Sequence, residues 1–244
     1  MLPSEYYLMS GTPVILNNNL GKIFQPKIID FINMGTTIEE FAQIFCVRLD
    51  IIDVKDEDLE QLKSVLKDFD LFFLDEDSSS LNKLIECLKF LYRTEKIYLS
   101  KKRQCILIND EIILNRDNFT YLADVILNML CMEKPKRKKK ERKYADDYRQ
   151  KIWEKMQRYR QEKEEKDRLS LLDIVNIVVH HGAYIDYDKV FNMTYYQLIN
   201  SYTTLMGKTN YEEYTMFKTS GQFKLEHEVK HWGITNRVKK GIAL

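Results

Sequence analysis

The chain has 244 residues, 44% of them hydrophobic and 12% aromatic, with only eight Gly and four Pro, so it can fill one large core or two small ones and is no low-complexity polymer. Its net charge of +1 is a cancellation: residues 1–133 carry 14 basic and 22 acidic side chains, 134–168 carry 16 and 8, and 169–244 carry 8 and 7. Cys46, Cys87, Cys105 and Cys131 stand singly in apolar surroundings, without a C-x-x-C pair, which excludes a dense disulfide framework and points to a reduced, intracellular compartment. The opening residues lack a basic-then-apolar export signal, and no stretch reaches the roughly 18 apolar residues of a membrane span.

After a turn at Gly11-Thr12-Pro13, "VIL" and "KIF" flank an Asn-rich loop, Asn17 to Gly21, which predicts a β-hairpin. Helices are expected near 27–34 and 37–46. "KDEDLEQLKSVLKDF" sets Leu59, Leu62, Val65, Leu66 and Phe69 at the spacing of one half-buried helix. "SSSLNKLIECLKFLYRT" repeats the device behind the capping serines 78–80. "KIYLSKKRQCILINDEIILN" reads as three strands joined by turns, and Asp117-Asn118 opens the amphipathic helix "NFTYLADVILNMLCM".

The expected fold class is therefore α+β and mainly helical. Helices with small antiparallel β-hairpins make an acidic domain over 1–133. A basic, then mixed-charge helical linker follows over 134–168. It opens with KRKKKERK (136–143) and continues with Tyr144, Tyr148, Ile152, Met156 and Tyr159 as a narrow apolar seam. Residues 169–244 form a C-terminal bundle of short helices, with Ser170 and Thr194 as caps, Gly182 as a stop, and a final helix "KLEHEVKHW" burying Leu225, Val229 and Trp232.

"HEVKH", His227 to His231, has the spacing that sets two imidazoles on one helical face for zinc, with Glu228 as general base. Its context opposes that chemistry, because the 13 residues after His231 contain no His, Asp, Glu or Cys to complete the ligand set. His180-His181, at the end of an apolar helix, suits the helix dipole better than a metal. The basic run suits an acidic surface; nucleic-acid binding is disfavoured by the acidic block beside it and by the lack of a recognition motif. No phosphate-cradling glycine motif is present. No catalytic, metal or cofactor-binding residue is expected. Aromatics crowd the last block instead, and Tyr195, Tyr196, Tyr202 and Trp232 are singled out as candidates to face a protein partner.

The order of these elements resembles a family of proteins from the tail gene clusters of tailed phages of Gram-positive bacteria, the tail assembly chaperone-like and tail structural proteins. The matching stretches are "GTPVIL" with "KIFQPKIIDFINMG", "DFDLFFL", "CILINDEIILNRDNFTYLADVI", "LSLLDIVNIVV", "YDKVFNMTYYQLINSYTTLM", "NYEEYTMF" and the near-terminal Trp232. The two histidines and the glutamate of HEVKH fall outside that pattern. The resemblance implies a non-enzymatic assembly factor acting in the host cell cytoplasm and binding the tape measure protein, the tail tube protein or both. A structural part of the virion tail or baseplate is the alternative, and a zinc metallopeptidase the third.

Overall fold

In the computed structural model, which describes residues 3–49, 52, 56–74, 79–100, 102–133, 151–152, 155–156, 158, 169–182, 185–220 and 230–235, the first turns are set by left-handed backbone. Helix α1 (Glu5–Ser10), which the sequence reading does not anticipate, buries Leu8 and stops at Gly11, φ +67°. A Cβ at Gly11 would be strained by the left-handed φ and would stand 3.0 Å from Gln197 Nε2, so glycine suits this turn. Strands β1 (Val14–Ile15) and β2 (Lys22–Ile23) then pair antiparallel, as the Asn-rich loop predicts. Asn18, Asn19 and Gly21 all take positive φ there, which Asn and Gly tolerate best.

Two capped helices follow. The Asp30 carboxylate accepts the Lys27 N–H (2.9 Å) to open α2 (Ile28–Met34). Thr37 and Glu40 exchange reciprocal bonds (3.0 and 3.1 Å) to open α3 (Ile38–Phe45). Their inward faces place Phe31 edge-on to Phe41, ring centroids 5.4 Å apart.

One expectation fails in the next stretch. The five apolar residues from Leu59 to Phe69 do not form a single stripe: α4 (Asp56–Val65) buries Leu59, but Val65 is 67% exposed. Lys67 is extended, and its N–H is taken by the Asp70 carboxylate (2.8 Å), which starts a separate 3-10 turn, Asp68–Phe73. That turn carries Phe69 and Phe72 inward against Phe119. Local capping by an Asp outcompetes continuation of the helix.

Helix α5 (Ser79–Tyr92) leads into a meander of β3 (Ile97–Ser100), β4 (Cys105–Ile108) and β5 (Ile112–Leu114), all antiparallel and in the order read from sequence. Helix α6 (Phe119–Met129) is buried on nearly every side, from Phe119 and Leu122 to Leu127 and Met129. It packs against α3 and the 3-10 turn.

The C-terminal helices are α7 (Leu171–His181), α8 (Tyr187–Phe191), α9 (Tyr195–Ser220) and α10 (Trp232–Thr235). Ser170 caps α7 through a reciprocal box with Asp173, as expected. Gly182 ends it in extended conformation, where a Cβ would collide with the Val178 carbonyl oxygen. Ile174, Val175, Val178, Val190, Leu198 and Ile199 belong to the same buried core as Leu8, Phe31 and Val125, although the 134–168 segment separates them in sequence. The fold is α+β and mainly helical.

Arg48, 6% exposed, ties three elements together. Its guanidinium reaches Asp124 of α6 (2.8 Å) and Asp68 of the 3-10 turn (3.4 Å). Asp68 also accepts the Leu49 N–H (2.9 Å) and the Thr120 hydroxyl (3.2 Å). Arg48→Met removes the buried guanidinium that bridges two poorly solvated carboxylates and is expected to destabilise the fold by about 3–5 kcal/mol, read from urea denaturation.

Candidate partner-binding surface

Helix α9 is one continuous element of 26 residues. The bundle of short helices expected over 169–244 does not hold here, because the glycine within α9, Gly207, costs only about 1 kcal/mol, too little to stop a helix whose first turns are firmly held. Its root is fixed by backbone. Lys27 and Thr194 form an antiparallel bridge, with Ile28 N–H donating to Met193 O (3.0 Å) and Tyr195 N–H to Pro26 O (3.3 Å). Thr194 and Gln197 cap the helix reciprocally (2.9 and 3.2 Å), and Gln197 Nε2 also donates to Met9 O (2.8 Å), tying α9 to α1.

This root decides the fate of the predicted site residues. Tyr195 and Tyr196 are 2% and 5% exposed, beside the fully buried Leu198 and Ile199. They are core, not surface: in "YYQLI" every residue but the capping Gln197 is apolar-bodied, so the whole first turn is inserted. Burial, with smaller contributions from Glu5 and Cys131, pushes the Tyr196 phenol up to about 12. Tyr202 is half-buried against the same core.

Beyond Gly207 the helix leaves the core. Positions 208–220 are exposed except Tyr211 and Tyr214, which are half-buried. Tyr211, Tyr214 and Phe217 follow at three-residue intervals and so share a ridge, with Met216 beside them. Met216 is 60% and Phe217 40% exposed. Lys218 Nζ sits 5.9 Å from the Tyr214 ring centroid. Helix α10 packs on α9, and His231 bridges the two. Its ring meets Tyr211 edge-on (4.9 Å) and stacks on Trp232 (5.4 Å, 30° between planes). Tyr211, His231 and Trp232 thus form one aromatic set at the projecting end of α9, with Trp232 half-buried. The candidate site lies about four to six turns beyond Tyr195, at the distal part of the same helix.

His231, like Lys230, lies outside any helix, immediately before α10, and its Nδ1 accepts the Gly233 N–H (3.1 Å). The continuous helix that H-E-x-x-H needs is therefore missing at its second histidine; His227, Glu228, Leu225 and Val229 lie outside the described residues. Among the described residues, no three His, Cys, Asp or Glu side chains are grouped to hold a metal. His180 stands edge-on to Tyr187 (6.3 Å), whose hydroxyl donates to Asn176 (3.0 Å). All four thiols are free, and burial pushes Cys87 and Cys131 up to about 12, away from thiolate chemistry.

Residues 161–234 match the family model described as the YomV second domain, a phage-derived family. The match supports a phage protein. It spans α7 to the start of α10, so the root and the aromatic end of α9 lie within the one matched segment. No curated protein and no solved structure matches the chain.

The sequence signal for this division was available in the spacing of polar residues. Lys208, Asn210, Glu212, Glu213 and Lys218 surround the distal aromatics, whereas none interrupts Tyr195-Tyr196. The consequence is a split in stability. Tyr195→Ala and Tyr196→Ala should each cost about 3–5 kcal/mol, whereas Met216→Ala and Phe217→Ala should stay near 0.5 kcal/mol, as measured by urea denaturation.

Proposed function

We propose that this phage protein is a non-enzymatic tail assembly factor, chaperone-like, that works in the host cell cytoplasm by holding the tape measure protein, the tail tube protein or both. The observation that carries the reading is the distal aromatic ridge of α9. Tyr211, Tyr214 and Phe217, with Met216 and the His231–Trp232 stack, are presented on a helix whose root is locked into the core. Support also comes from the likeness of residues 161–234 to a phage-derived domain family and from the resemblance of the tail-cluster motifs.

The chemistry of such a surface is recognition. Tyr and Trp offer large apolar bodies with polar tips and few rotatable bonds, so they gain contact area at small entropic cost. An exposed Met adapts to irregular apolar shapes. A long, helix-prone partner with repeated apolar positions is the class of ligand that such a ridge fits, by the helix-in-groove mode. Covering those positions until the tail polymerises keeps them from associating with one another.

Co-expression with tape measure and tail tube proteins tests this directly. Met216→Ala/Phe217→Ala and Trp232→Ala should abolish or sharply reduce co-purification, roughly tenfold or more per lost anchor, while far-ultraviolet circular dichroism stays unchanged. Undiminished capture by the double variant sinks the reading. Recovery of the protein in fixed stoichiometry from purified virions would make it a tail component instead.

A further inference from the structure

A second surface lies on another face of the molecule, where the α2–α3 turn meets the start of α7. Ile28, Phe31, Ile32, Ile38, Leu169 and Leu171 line an apolar groove of about 440 Å³, within the roughly 300–1,000 Å³ of ordinary binding clefts. Part of its apolar surface faces water, since Ile32 is 56% and Leu169 38% exposed.

The rim of the groove is acidic, for a reason built into its helix starts. The Glu40 carboxylate accepts hydrogen bonds from two lining residues, Thr36 Oγ1 (3.2 Å) and Thr37 N–H (3.0 Å). Asp173 accepts from a third, Ser170, through N–H (2.8 Å) and Oγ (2.6 Å). These bonds hold both carboxyls below their usual range, so both are charged at neutral pH. An occupant must therefore offer aliphatic side chains with cations alongside.

The chain itself carries such a segment. Among the described residues of this stretch, 151, 152, 155, 156 and 158, all helical, Ile152 and Met156 are 43% and 51% exposed, four residues apart and so on one face. Lys151, Lys155 and Arg158, also exposed, form the neighbouring stripe at intervals of four and three. They belong to the block 134–168, with 16 basic and 8 acidic side chains, opposite in balance to the block 1–133 that supplies most of the groove.

We infer that the groove is a self-association site: the Ile152–Met156 face of a second copy docks between Ile32 and Leu169, with Lys151, Lys155 and Arg158 against the Glu40 and Asp173 rim. This does not depend on the function proposed for α9, because the two surfaces share no residue. Two copies can exchange the contact reciprocally, giving the closed twofold arrangement usual for soluble dimers.

Sedimentation velocity of the full chain across a concentration series is the test. Wild type should associate, more weakly as salt is raised, since the rim contacts are exposed and the screening length falls to about 10 Å at 0.1 M. Ile32→Lys/Leu169→Lys alters only the groove, and Ile152→Asp/Met156→Asp only the docking face. All four positions are exposed enough to leave folding intact, which circular dichroism checks. Each double variant alone should raise the dissociation constant at least roughly tenfold. An equimolar mixture should recover a dimer, because one groove and one docking face survive in each mixed pair. A wild type that stays monomeric, association that either variant leaves untouched, or a mixture that stays monomeric overturns the inference.

Discussion

The short backbone bridge between Lys27 and Thr194 constrains more of this molecule than its length suggests. It joins segments 167 positions apart through two main-chain hydrogen bonds, Ile28 N–H to Met193 O and Tyr195 N–H to Pro26 O. Because those bonds join the first residue of each helix to the residue two positions before the other, they fix where both helices begin. Gln197 then reaches Met9 from the first turn of α9, and Gly11 leaves the room for it. Once that geometry is set, Tyr195, Tyr196, Leu198 and Ile199 can only point inward. The residues beyond Gly207 are carried outward along a line that the bridge has already chosen.

A different device holds the remainder of the core. Hydrophobic burial is non-directional and cannot by itself decide how the loop after α3, the 3-10 turn and α6 are registered against each other. Arg48 can, because its planar guanidinium satisfies Asp124 and Asp68 from fixed directions, and Asp68 spends its remaining capacity on Leu49 N–H and Thr120. Charges this poorly solvated contribute little net stability, yet breaking the set is costly, so their effect is to specify one arrangement. The apolar ring clusters, Phe31 with Phe41 and Phe69 with Phe72 and Phe119, fill the space thus defined.

Much of this was legible in the sequence where chemistry is local. The Asn-rich hairpin loop, the three-strand meander and the Ser170 and Thr194 caps each rest on residues within a few positions of one another. One miss was itself local: Asp70, three residues on, captures the Lys67 N–H and splits one amphipathic run into a helix and a 3-10 turn, which apolar spacing alone masks. The others depend on distant partners. Helix α1 is too short to show a period, and its stop at Gly11 answers to a glutamine 186 residues away. For the same reason the aromatic-rich stretch after Thr194 was legible as a group but not as two groups. Tyr195 and Tyr196 are drawn inside by the bridge, while Tyr211, Tyr214 and Phe217 are left on the distal ridge.

The division within α9 also explains how an exposed aromatic helix can exist. From Lys208 onward it has little tertiary burial, and a free peptide of that length, at or below about 12–15 residues, would be only marginally helical in water because nucleation is costly. Here nucleation has already taken place in the buried root, so each further residue needs only propagation. The Lys208–Glu212 pair (3.7 Å), four residues apart, adds a small local contribution to that propagation. His231 and the Trp232 of α10 add their rings beside Tyr211. The aromatic ridge is therefore ordered by the root rather than by its own burial, which leaves its apolar surface available and preformed. Order supplied from elsewhere lowers the entropic cost of binding a partner there.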